Sequence, residues 1–403
     1  MILTAEKMVS GADCMARTDG KTVFIPYAIP GERLEVAITE ERRDFCRARI
    51  LRVLEASPYR VTPRCPHYMR CGGCSMQHID GRHQRRLREQ VLREAFERNG
   101  VAVPEITTVH AADYGYRSRF QLHDGGLLAA RSNTVVPIED CPVADEAVSG
   151  WLRNTPCHAR PRGRAHLFAG DELVIAQEEA SRAEGSTRVI GGAKRAERLK
   201  ARRSRHFPGT VQAPSAKCTV TLGGKRVAFD VRGFFQSNIP VLEQALPLLC
   251  GGIGGRHVLD MYGGAGTFSV FLAECFDHVT LVEHNRDAIV YAEENLAGFP
   301  HTCFGMSGER FVRTQVEPAQ KDFGAFEAVV IDPPRSGMEK AVRDWLCTRP
   351  AFQIRSVSCD PATHARDAAA LVSAGYTLTK LCLLDFYPQT RHIESLAYFE
   401  DLT

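Results

Sequence analysis

The stretch RHVLDMYGGAGT at residues 256–267 decides the fold, because it joins an apolar run to a glycine-rich turn. The apolar run predicts a buried strand, and the turn leads into a helix predicted at 268–273. From residue 211 onward predicted strands and helices alternate, which is typical of an α/β doubly wound sheet. The glycines let the backbone approach a ligand closely, and the turn alone fits either a dinucleotide or S-adenosylmethionine (SAM).

Two acidic positions after predicted strands narrow the choice of ligand. Glu283 ends the strand at 278–282, twenty residues past Gly263, where a carboxylate can accept hydrogen bonds from two ribose hydroxyls. The strand at 328–331 runs into Asp332-Pro333-Pro334-Arg335, which resembles the (D/N)PP(Y/F/R) motif of methyltransferases that act on planar nitrogen or carbon centres. Dehydrogenases do not show this motif. The C-terminal part therefore predicts a Rossmann-like, SAM-dependent methyltransferase domain.

A cysteine near the C-terminus is a candidate nucleophile. Cys359 follows the apolar run at 353–358 and precedes Asp360-Pro361-Ala362-Thr363, a sequence suited to starting a helix. A thiol at the end of a strand and facing a helix N-terminus sits where a thiolate is electrostatically favoured. A buried structural cysteine is the alternative at this position.

Three more cysteines crowd one short stretch, Cys65, Cys71 and Cys74, with paired glycines between the last two. Such a loop suits an iron–sulfur cluster or a zinc ion, and Cys141 is the candidate fourth ligand. The chain has 14 cysteines and no export signal, which predicts a reducing, cytoplasmic location. The CxxxCxxC spacing of radical-SAM enzymes does not occur in the sequence, which weighs against radical chemistry.

The segments before residue 121 predict a barrel, a helix and an aromatic stretch. Short alternating runs at 21–26, 33–38 and 46–51 predict a small β-barrel of the OB type, either an RNA binder or a generic barrel. A charged amphipathic helix is predicted at 79–99. Aromatic residues alternate with arginines at 114–120, a composition suited to stacking on bases, although a solvated edge strand is the alternative.

Composition limits the class of protein but does not indicate a function. The 403-residue chain has 25% charged residues and a net charge of only +3, as expected for a globular protein of two or three domains. No run of 18 apolar residues occurs, so no membrane partner is expected.

Taken together, the motifs resemble the bacterial RNA uracil-5-methyltransferases, in the branch that has a TRAM domain, an iron–sulfur cluster and a methyltransferase domain and that modifies 23S rRNA. The resemblance extends over essentially the whole chain. It implies a TRAM barrel at 1–57, a central iron–sulfur region at 58–210 and the methyltransferase domain at 211–403. The motifs that carry it are the cysteines 65, 71, 74 and 141, residues 233–238, the glycine turn, residues 332–335, residues 358–361 and residues 390–394.

The resemblance also implies roles for individual residues. Cys359 would be the nucleophile and Glu394 the base. The four cysteines would hold a 4Fe-4S cluster. SAM contacts are implied for Gln236, Tyr262, Glu283 and Asp332.

Two positions depart from the family pattern. Asp360 stands where an Asn is usual, and Gly263 stands where a Cys is frequent. A carboxylate at 360 is expected to raise the pKa of the Cys359 thiol.

Several alternatives stay open at this level. A cytosine-5 enzyme is the nearest rival chemistry, but RNA enzymes of that type carry a second cysteine beside the proline of the motif, where this chain has Arg335. The RNA could be tRNA instead of 23S rRNA. The chain could also be a catalytically silent RNA-binding or assembly protein, although Cys359, Glu394 and Asp332 are all present. We expect a monomer.

The sequence at 194–205 generates a prediction about RNA affinity, because it holds seven cations and one anion in twelve residues. A solvated linker helix is the alternative interpretation. If the run contacts RNA, changing Arg202, Arg203 and Arg205 to Ala should flatten the slope of log K against log salt by about two units, at about 0.7 per single-strand phosphate contact. Filter binding across a salt series measures this, and an unchanged slope would leave only the linker interpretation.

Overall fold

The computed structural model describes residues 1–18, 20–177 and 216–402. The basic run at 194–205 lies outside these residues. The first part of the chain forms a six-stranded sheet of Ile2–Thr4 (β1), Lys7–Met8 (β2), Asp13–Thr18 (β3), Lys21–Pro26 (β4), Arg33–Glu41 (β5) and Phe45–Glu55 (β6). The strand order is β1-β5-β6-β4-β3-β2. The sheet curls, because β1 at one edge also contacts β3 near the other.

The predicted amphipathic helix forms at Gly81–Arg98 (α1), and the Asp80 carboxylate caps its N-terminus. The middle of the chain continues with Ile106–Val109 (β7), Arg119–His123 (β8), Leu127–Leu128 (β9), Val135–Val136 (β10), Glu146–Asn154 (α2), a 3-10 turn at Cys157–Ala159, Arg164–Ala169 (β11) and Leu173–Gln177 (β12). Strands β8, β11 and β12 form a small antiparallel sheet, and β9 pairs with β10. A local apolar core lies under these strands and α2.

The C-terminal part alternates strands and helices as the sequence predicts. Its strands are Lys217–Leu222 (β13), Lys225–Asp230 (β14), Gly255–Met261 (β15), Phe276–Glu283 (β16), His301–Gly305 (β17), Ala328–Ile331 (β18), Gln353–Ser358 (β19), Thr377–Leu384 (β20) and Glu394–Glu400 (β21). Its helices are Ile239–Cys250 (α3), Ser269–Leu272 (α4), Arg286–Asn295 (α5), Gly308–Thr314 (α6), Val316–Phe323 (α7), Lys340–Leu346 (α8) and Pro361–Ser373 (α9).

One eight-stranded sheet organises this part, in the order β17-β16-β15-β18-β19-β21-β20-β7. Strands β17, β16, β15, β18 and β19 run parallel, and β21 is antiparallel between β19 and β20. The chain leaves β15 toward β16 on one side and returns to β18 on the other. Ligands of open α/β sheets bind at the carboxyl ends of the strands beside such a switch point. The fold therefore predicts the binding site at the ends of β15, β16 and β18.

Segments from the middle of the chain are part of this sheet and its covering layers. Strand β7 pairs in parallel with β20, and α1 packs on α9, where the rings of Phe96 and His364 meet edge to face at 5.3 Å. The apolar core on one face of the sheet is continuous with the core of the N-terminal sheet. Within the described residues, no helix is long and apolar enough to cross a membrane.

Candidate active site

Three acidic side chains meet at the carboxyl edge of the parallel strands. Asp260 is in β15, Glu283 ends β16 and Asp332 follows β18. Burial raises the pKa of Asp260 to about 6, with a further rise from Glu283. Burial also raises the pKa of Asp332 to about 7, and the charges of Asp260 and Glu283 act in the same direction. This edge concentrates negative charge, so it is suited to a ligand that brings hydrogen-bond donors and positive charge.

Glu283 differs from the other two acids because donors surround it. Its carboxylate accepts hydrogen bonds from the backbone N–H of Gly264 (3.1 Å) and of Asn285 (2.6 Å), and it pairs with His284. Burial alone would raise its pKa, but these contacts outweigh burial and lower it. The Glu283 carboxylate therefore stays charged, as a group that accepts hydrogen bonds from ribose hydroxyls must.

The glycine turn packs too closely for a side chain at its first position. A Cβ atom on Gly263 would lie 2.8 Å from Leu281 Cγ and 3.0 Å from Asp260 Oδ2. The Cys frequent in the family at this position would therefore require Leu281 to move. Next to the turn, the buried Asp260 Oδ1 has no hydrogen-bond partner within the described residues, while Oδ2 accepts a 2.5 Å bond from Ser269. These features fit a bound SAM.

Tyr262, predicted to contact SAM, begins the glycine turn with a left-handed backbone (φ 66°). Its N–H donates to Val282 O at 2.8 Å, which fixes the turn to β16. Its hydroxyl lies 3.5 Å from the carboxylate of Glu339, a residue that the sequence interpretation did not select. Tyr262 thus lies beside Glu283 on the same edge of the sheet.

The antiparallel pairing of β19 with β21 brings Cys359 opposite Glu394. Ser358, the last residue of β19, pairs with Ser395. Continuing that register by one residue places Cys359 opposite Glu394, the first residue of β21. The Cα atoms of residues opposed in an antiparallel pair are about 4.5–5.5 Å apart. The carboxyl group is buried and the thiol is half-buried. A nucleophile and an acid–base group therefore face the same space.

The surroundings of this pair raise the pKa of Cys359, whereas the sequence predicted that its thiolate is favoured. Burial, followed by the charges of Glu394 and Asp332, raises the pKa of the Cys359 thiol to about 11, against a lowering by Arg335. Burial and then Asp332 raise the pKa of Glu394 to about 8. The expectation that the helix N-terminus favours the thiolate was wrong, because burial and two acids outweigh it.

Asp360 caps the helix that follows Cys359. Its carboxylate accepts the N–H groups of Ala362 (3.0 Å) and Thr363 (2.9 Å) in the first turn of α9, so it neutralises that helix end. The thiol pKa is raised, as predicted from the presence of Asp360, but the causes are burial, Glu394 and Asp332. Asp360 acts as an N-cap.

Three residues beside the pair also shape the site. Gln236, predicted to contact SAM, hydrogen-bonds through its side chain to Glu394, and the Tyr387 hydroxyl lies 3.5 Å from Gln236 Oε1. Arg335 is exposed at the end of the Asp-Pro-Pro-Arg motif, and its charge lowers the pKa of both Cys359 and Glu394. No sequence pattern selected Tyr387, whose role depends on a contact across 151 positions.

All four predicted cluster ligands, Cys65, Cys71, Cys74 and Cys141, line one cavity of about 610 Å³. We call residues 65–77 the cysteine loop. A charge on Cys65 raises the pKa of each of the other three thiols, which shows that the four lie close together. Burial is the larger cause, and it raises the pKa of Cys74 to about 11 and that of Cys141 to about 12.

Polar atoms of the cysteine loop point to a further group in this cavity. His67 Nδ1 and Ser75 Oγ are buried without a hydrogen-bond partner in the described part of the chain, and the Gln77 side chain hydrogen-bonds to Cys74. The backbone N–H of Gly73 donates to the Cys71 sulfur at 3.4 Å. Donors facing sulfur are typical of iron–sulfur sites, where they tune the cluster.

The four sulfurs are not spaced to bind a single ion in this structure. Tetrahedral zinc with Zn–S bonds of about 2.3 Å holds its sulfurs about 3.8 Å apart. Among the described residues only Glu293, His301 and Cys303, at the outer strand β17, have three ligand atoms within 4.8 Å of one another. The four cysteines do not include three ligand atoms this close together.

The aromatic segment at 114–120 does not offer its rings to bases. Tyr116 and Phe120 are buried, and the Tyr114 ring is covered by the guanidinium of Arg64 at 4.3 Å. The predicted stacking by these three rings was therefore wrong, because two belong to the protein core. Phe234, in contrast, is 64% exposed.

The strand order, the acidic edge and the Asp-Pro-Pro-Arg motif define a SAM-dependent methyltransferase. A sequence model described as tRNA (Uracil-5-)-methyltransferase matches residues 219–401, and a TRAM domain model matches residues 3–51. The chain belongs to the family of RNA uracil-5-methyltransferases.

Curated relatives match over nearly the full chain. An RNA methyltransferase from Treponema denticola is 35% identical and covers 99% of this chain and 98% of its own. A 23S rRNA (uracil(1939)-C(5))-methyltransferase from Halomonas elongata is 32% identical, covering 95% of this chain and 85% of its own, and one from Salmonella choleraesuis is 34% identical, covering 96% and 93%. The solved Pyrococcus abyssi tRNA (uracil-54, C5)-methyltransferase in complex with S-adenosyl-L-homocysteine shares the fold, with a TM-score of 0.69 at 20% identity over 99% of this chain and all of its own.

The coupling of the two reactive groups predicts a change in thiol reactivity. Changing Glu394 to Gln removes a negative charge that raises the pKa of Cys359, so that pKa should fall. The rate of iodoacetamide labelling of Cys359 against pH, followed by mass spectrometry of its peptide, measures this shift. Glu317→Gln, which removes an exposed carboxylate from α7, is the matched control. An unchanged Cys359 profile in Glu394→Gln would contradict the coupling.

Proposed function

We propose that this protein transfers a methyl group from SAM to carbon 5 of a uridine in RNA, and that 23S rRNA is its substrate. The observation that carries the proposal is the Cys359–Glu394 pair, which faces one space beside the acidic edge. Two 23S rRNA enzymes that are 32–34% identical over nearly the whole chain support the rRNA target. The tRNA enzyme of known structure supports only the fold, at 20% identity.

Cys359 activates the uracil ring for methyl transfer. Uracil carbon 5 is a poor nucleophile, and addition of a thiolate to carbon 6 makes carbon 5 electron-rich. Because the pKa of Cys359 is raised, its thiol must lose its proton to solvent before the sulfur adds to carbon 6, and Arg335 opposes the rise in pKa. Bound SAM supplies the methyl group. Covalent catalysis through Cys359 therefore converts one difficult transfer into two easier steps.

Glu394 acts at the second step. It takes the proton from carbon 5, the double bond between carbons 5 and 6 re-forms, and the bond to the Cys359 sulfur breaks. A pKa of about 8 keeps this carboxyl close to the range in which a group can accept and release protons near neutral pH. Gln236 holds the carboxyl in place, and the Tyr387 hydroxyl lies beside Gln236.

The residues proposed to hold SAM divide into two groups. Glu283 is anchored to receive the ribose hydroxyls, and Tyr262 and Asp332 lie on the same edge. Gln236 lies with Glu394 instead, between the acidic edge and the uracil site. We therefore assign Gln236 to the boundary between cofactor and substrate.

A 4Fe-4S cluster on Cys65, Cys71, Cys74 and Cys141 is part of the proposal. Support comes from the single cavity that all four line and from the unpartnered polar atoms around it. The mechanism above needs no electron transfer, so the role proposed for the cluster is structural. We also retain the division into a TRAM segment (1–57), a cluster region (58–210) and a methyltransferase segment (211–403).

The separate roles of Cys359 and Glu394 predict different failures. Cys359→Ala should abolish methylation and any covalent RNA complex while SAM still binds. Glu394→Gln should lower the rate by about 100-fold or more, as loss of a general base does, and should accumulate methylated RNA attached to Cys359. A protease-sensitive slow band on a denaturing gel, with SAM carrying a tritiated methyl group, reports the adduct.

The double variant is the control and should show no band. Free 5-methyluridine from Glu394→Gln at the wild-type rate would remove Glu394 from the base role. Running 23S rRNA and tRNA side by side tests the target, and faster methylation of tRNA would favour the alternative substrate.

The cluster proposal predicts that Cys141 matters as much as Cys71. Protein purified without oxygen should be brown and contain iron and sulfide, and Cys141→Ser should lose both as fully as Cys71→Ser does. Cys157→Ser changes a cysteine of similar exposure that does not line the cavity, so it should keep its colour. Stoichiometric zinc without iron or sulfide would contradict the cluster.

A further inference from the structure

Two buried glutamines connect the cysteine loop to the segment that leads into Glu394. Gln84 of α1 is 1% exposed, and Gln389 is 2% exposed. Gln84 Nε2 donates to Gln389 Oε1 at 2.8 Å, and the N–H of Gln389 donates back to Gln84 Oε1 at 3.0 Å. Because a buried amide that loses its partner is destabilising, this reciprocal pair resists separation.

The same two residues hydrogen-bond to the cysteine loop and the residues that follow it. The backbone N–H groups of Ser75 and Met76, directly after Cys74, donate to Gln389 O at 2.9 and 3.0 Å. Gln84 Nε2 also lies 3.0 Å from Met76 O and 2.8 Å from Ile79 O. The end of the cysteine loop therefore cannot move without breaking contacts to Gln389.

On its other side, Gln389 belongs to the run into the base, residues 385–393, which we call the catalytic segment. Gln389 has a left-handed backbone (φ 68°), a conformation that a non-glycine residue keeps only when its surroundings impose it. Pro388 O accepts the Tyr116 hydroxyl at 2.7 Å, and residues 390–392 line the same cavity as the four cysteines. The catalytic segment thus forms one wall of the cysteine cavity and ends at Glu394.

We propose that Gln84 and Gln389 are positioning residues for proton removal. By tying the catalytic segment to the cysteine loop, they keep the Glu394 carboxylate in place. The proposal rests on the function above. In the step concerned, Glu394 takes the carbon 5 proton, the electrons of the C–H bond form the carbon 5–carbon 6 double bond, and the sulfur of Cys359 leaves with its bonding pair. A loosened catalytic segment slows this step and leaves the earlier attack by Cys359 intact.

The test uses the full-length protein, purified without oxygen and carrying its iron. Gln84→Ala removes the side chain that joins both partners but leaves Cys359, Glu394 and the four cysteines in place. Because a misplacement of about 1 Å can lower a rate about 100-fold, we expect kcat to fall tenfold or more. KM for RNA should change by less than about twofold, since uniform binding is kept. The covalent RNA adduct should accumulate while iron per chain matches that of the wild type.

Gln90→Ala is the matched control, because Gln90 is an exposed glutamine of the same helix whose side chain hydrogen-bonds to Glu94. It should behave like the wild type. Gln389→Gly is the second variant, for the case that Gln84→Ala does not fold. Glycine keeps the left-handed backbone and the carbonyl bonds to the cysteine loop but removes the amide side chain. It should accumulate the adduct as well, with a smaller loss of kcat.

The outcomes separate the inference from the function on which it rests. Wild-type protein that forms neither adduct nor 5-methyluridine on any RNA would refute the proposed function. An active wild type with both variants unchanged in kcat and adduct level would overturn the positioning role alone. Variants that lose iron and activity in proportion, without adduct, would also overturn it, because the glutamines would then only maintain the cysteine loop.

Discussion

The burial of four carboxyl groups at one edge of the sheet is the constraint on which the site depends. Asp260, Glu283, Asp332 and Glu394 approach one another where β15, β16, β18 and β21 meet the surface. Removing a carboxylate from water disfavours its charged form unless donors replace the water. Only Glu283 has enough N–H donors to keep its pKa low, and the others rise toward neutrality. The edge thereby gains one fixed anion and several groups that exchange protons near neutral pH.

This charge distribution explains why the nucleophile and the base are linked. Burial raises the pKa of Cys359 most, two of these acids raise it further, and Arg335 is the cation that counters them. Asp360 occupies the N-terminal N–H groups of the helix that follows Cys359. The raised pKa of the thiol therefore comes from burial and from acidic side chains that follow β18 and begin β21.

The middle of the chain does more than carry the cysteines. Strand β7 completes the methyltransferase sheet beside β20, and α1 covers it by packing on α9. Arg88 of α1 pairs with Asp385 at 2.8 Å, and Tyr116 donates to Pro388 O, so the middle segment holds the run into Glu394 from two directions. The cysteine cavity, the N-terminal sheet and the site of chemistry are thus parts of one packed body.

The sequence by itself determined the parts that depend on local pattern. The run at 353–358 is β19 with the predicted bounds, and the strand–turn–helix at 256–273 forms where glycines and apolar residues require it. Motif spacing also selected the family. Tertiary structure alone decided how groups distant in sequence act on one another. Tyr116 and Phe120 lie in the core. The pKa of the Cys359 thiol is raised, although its position before a helix N-terminus predicted a lowered one. The physical reason is that burial and electrostatic coupling depend on distances through space, and the pairing of β19 with β21 sets those distances.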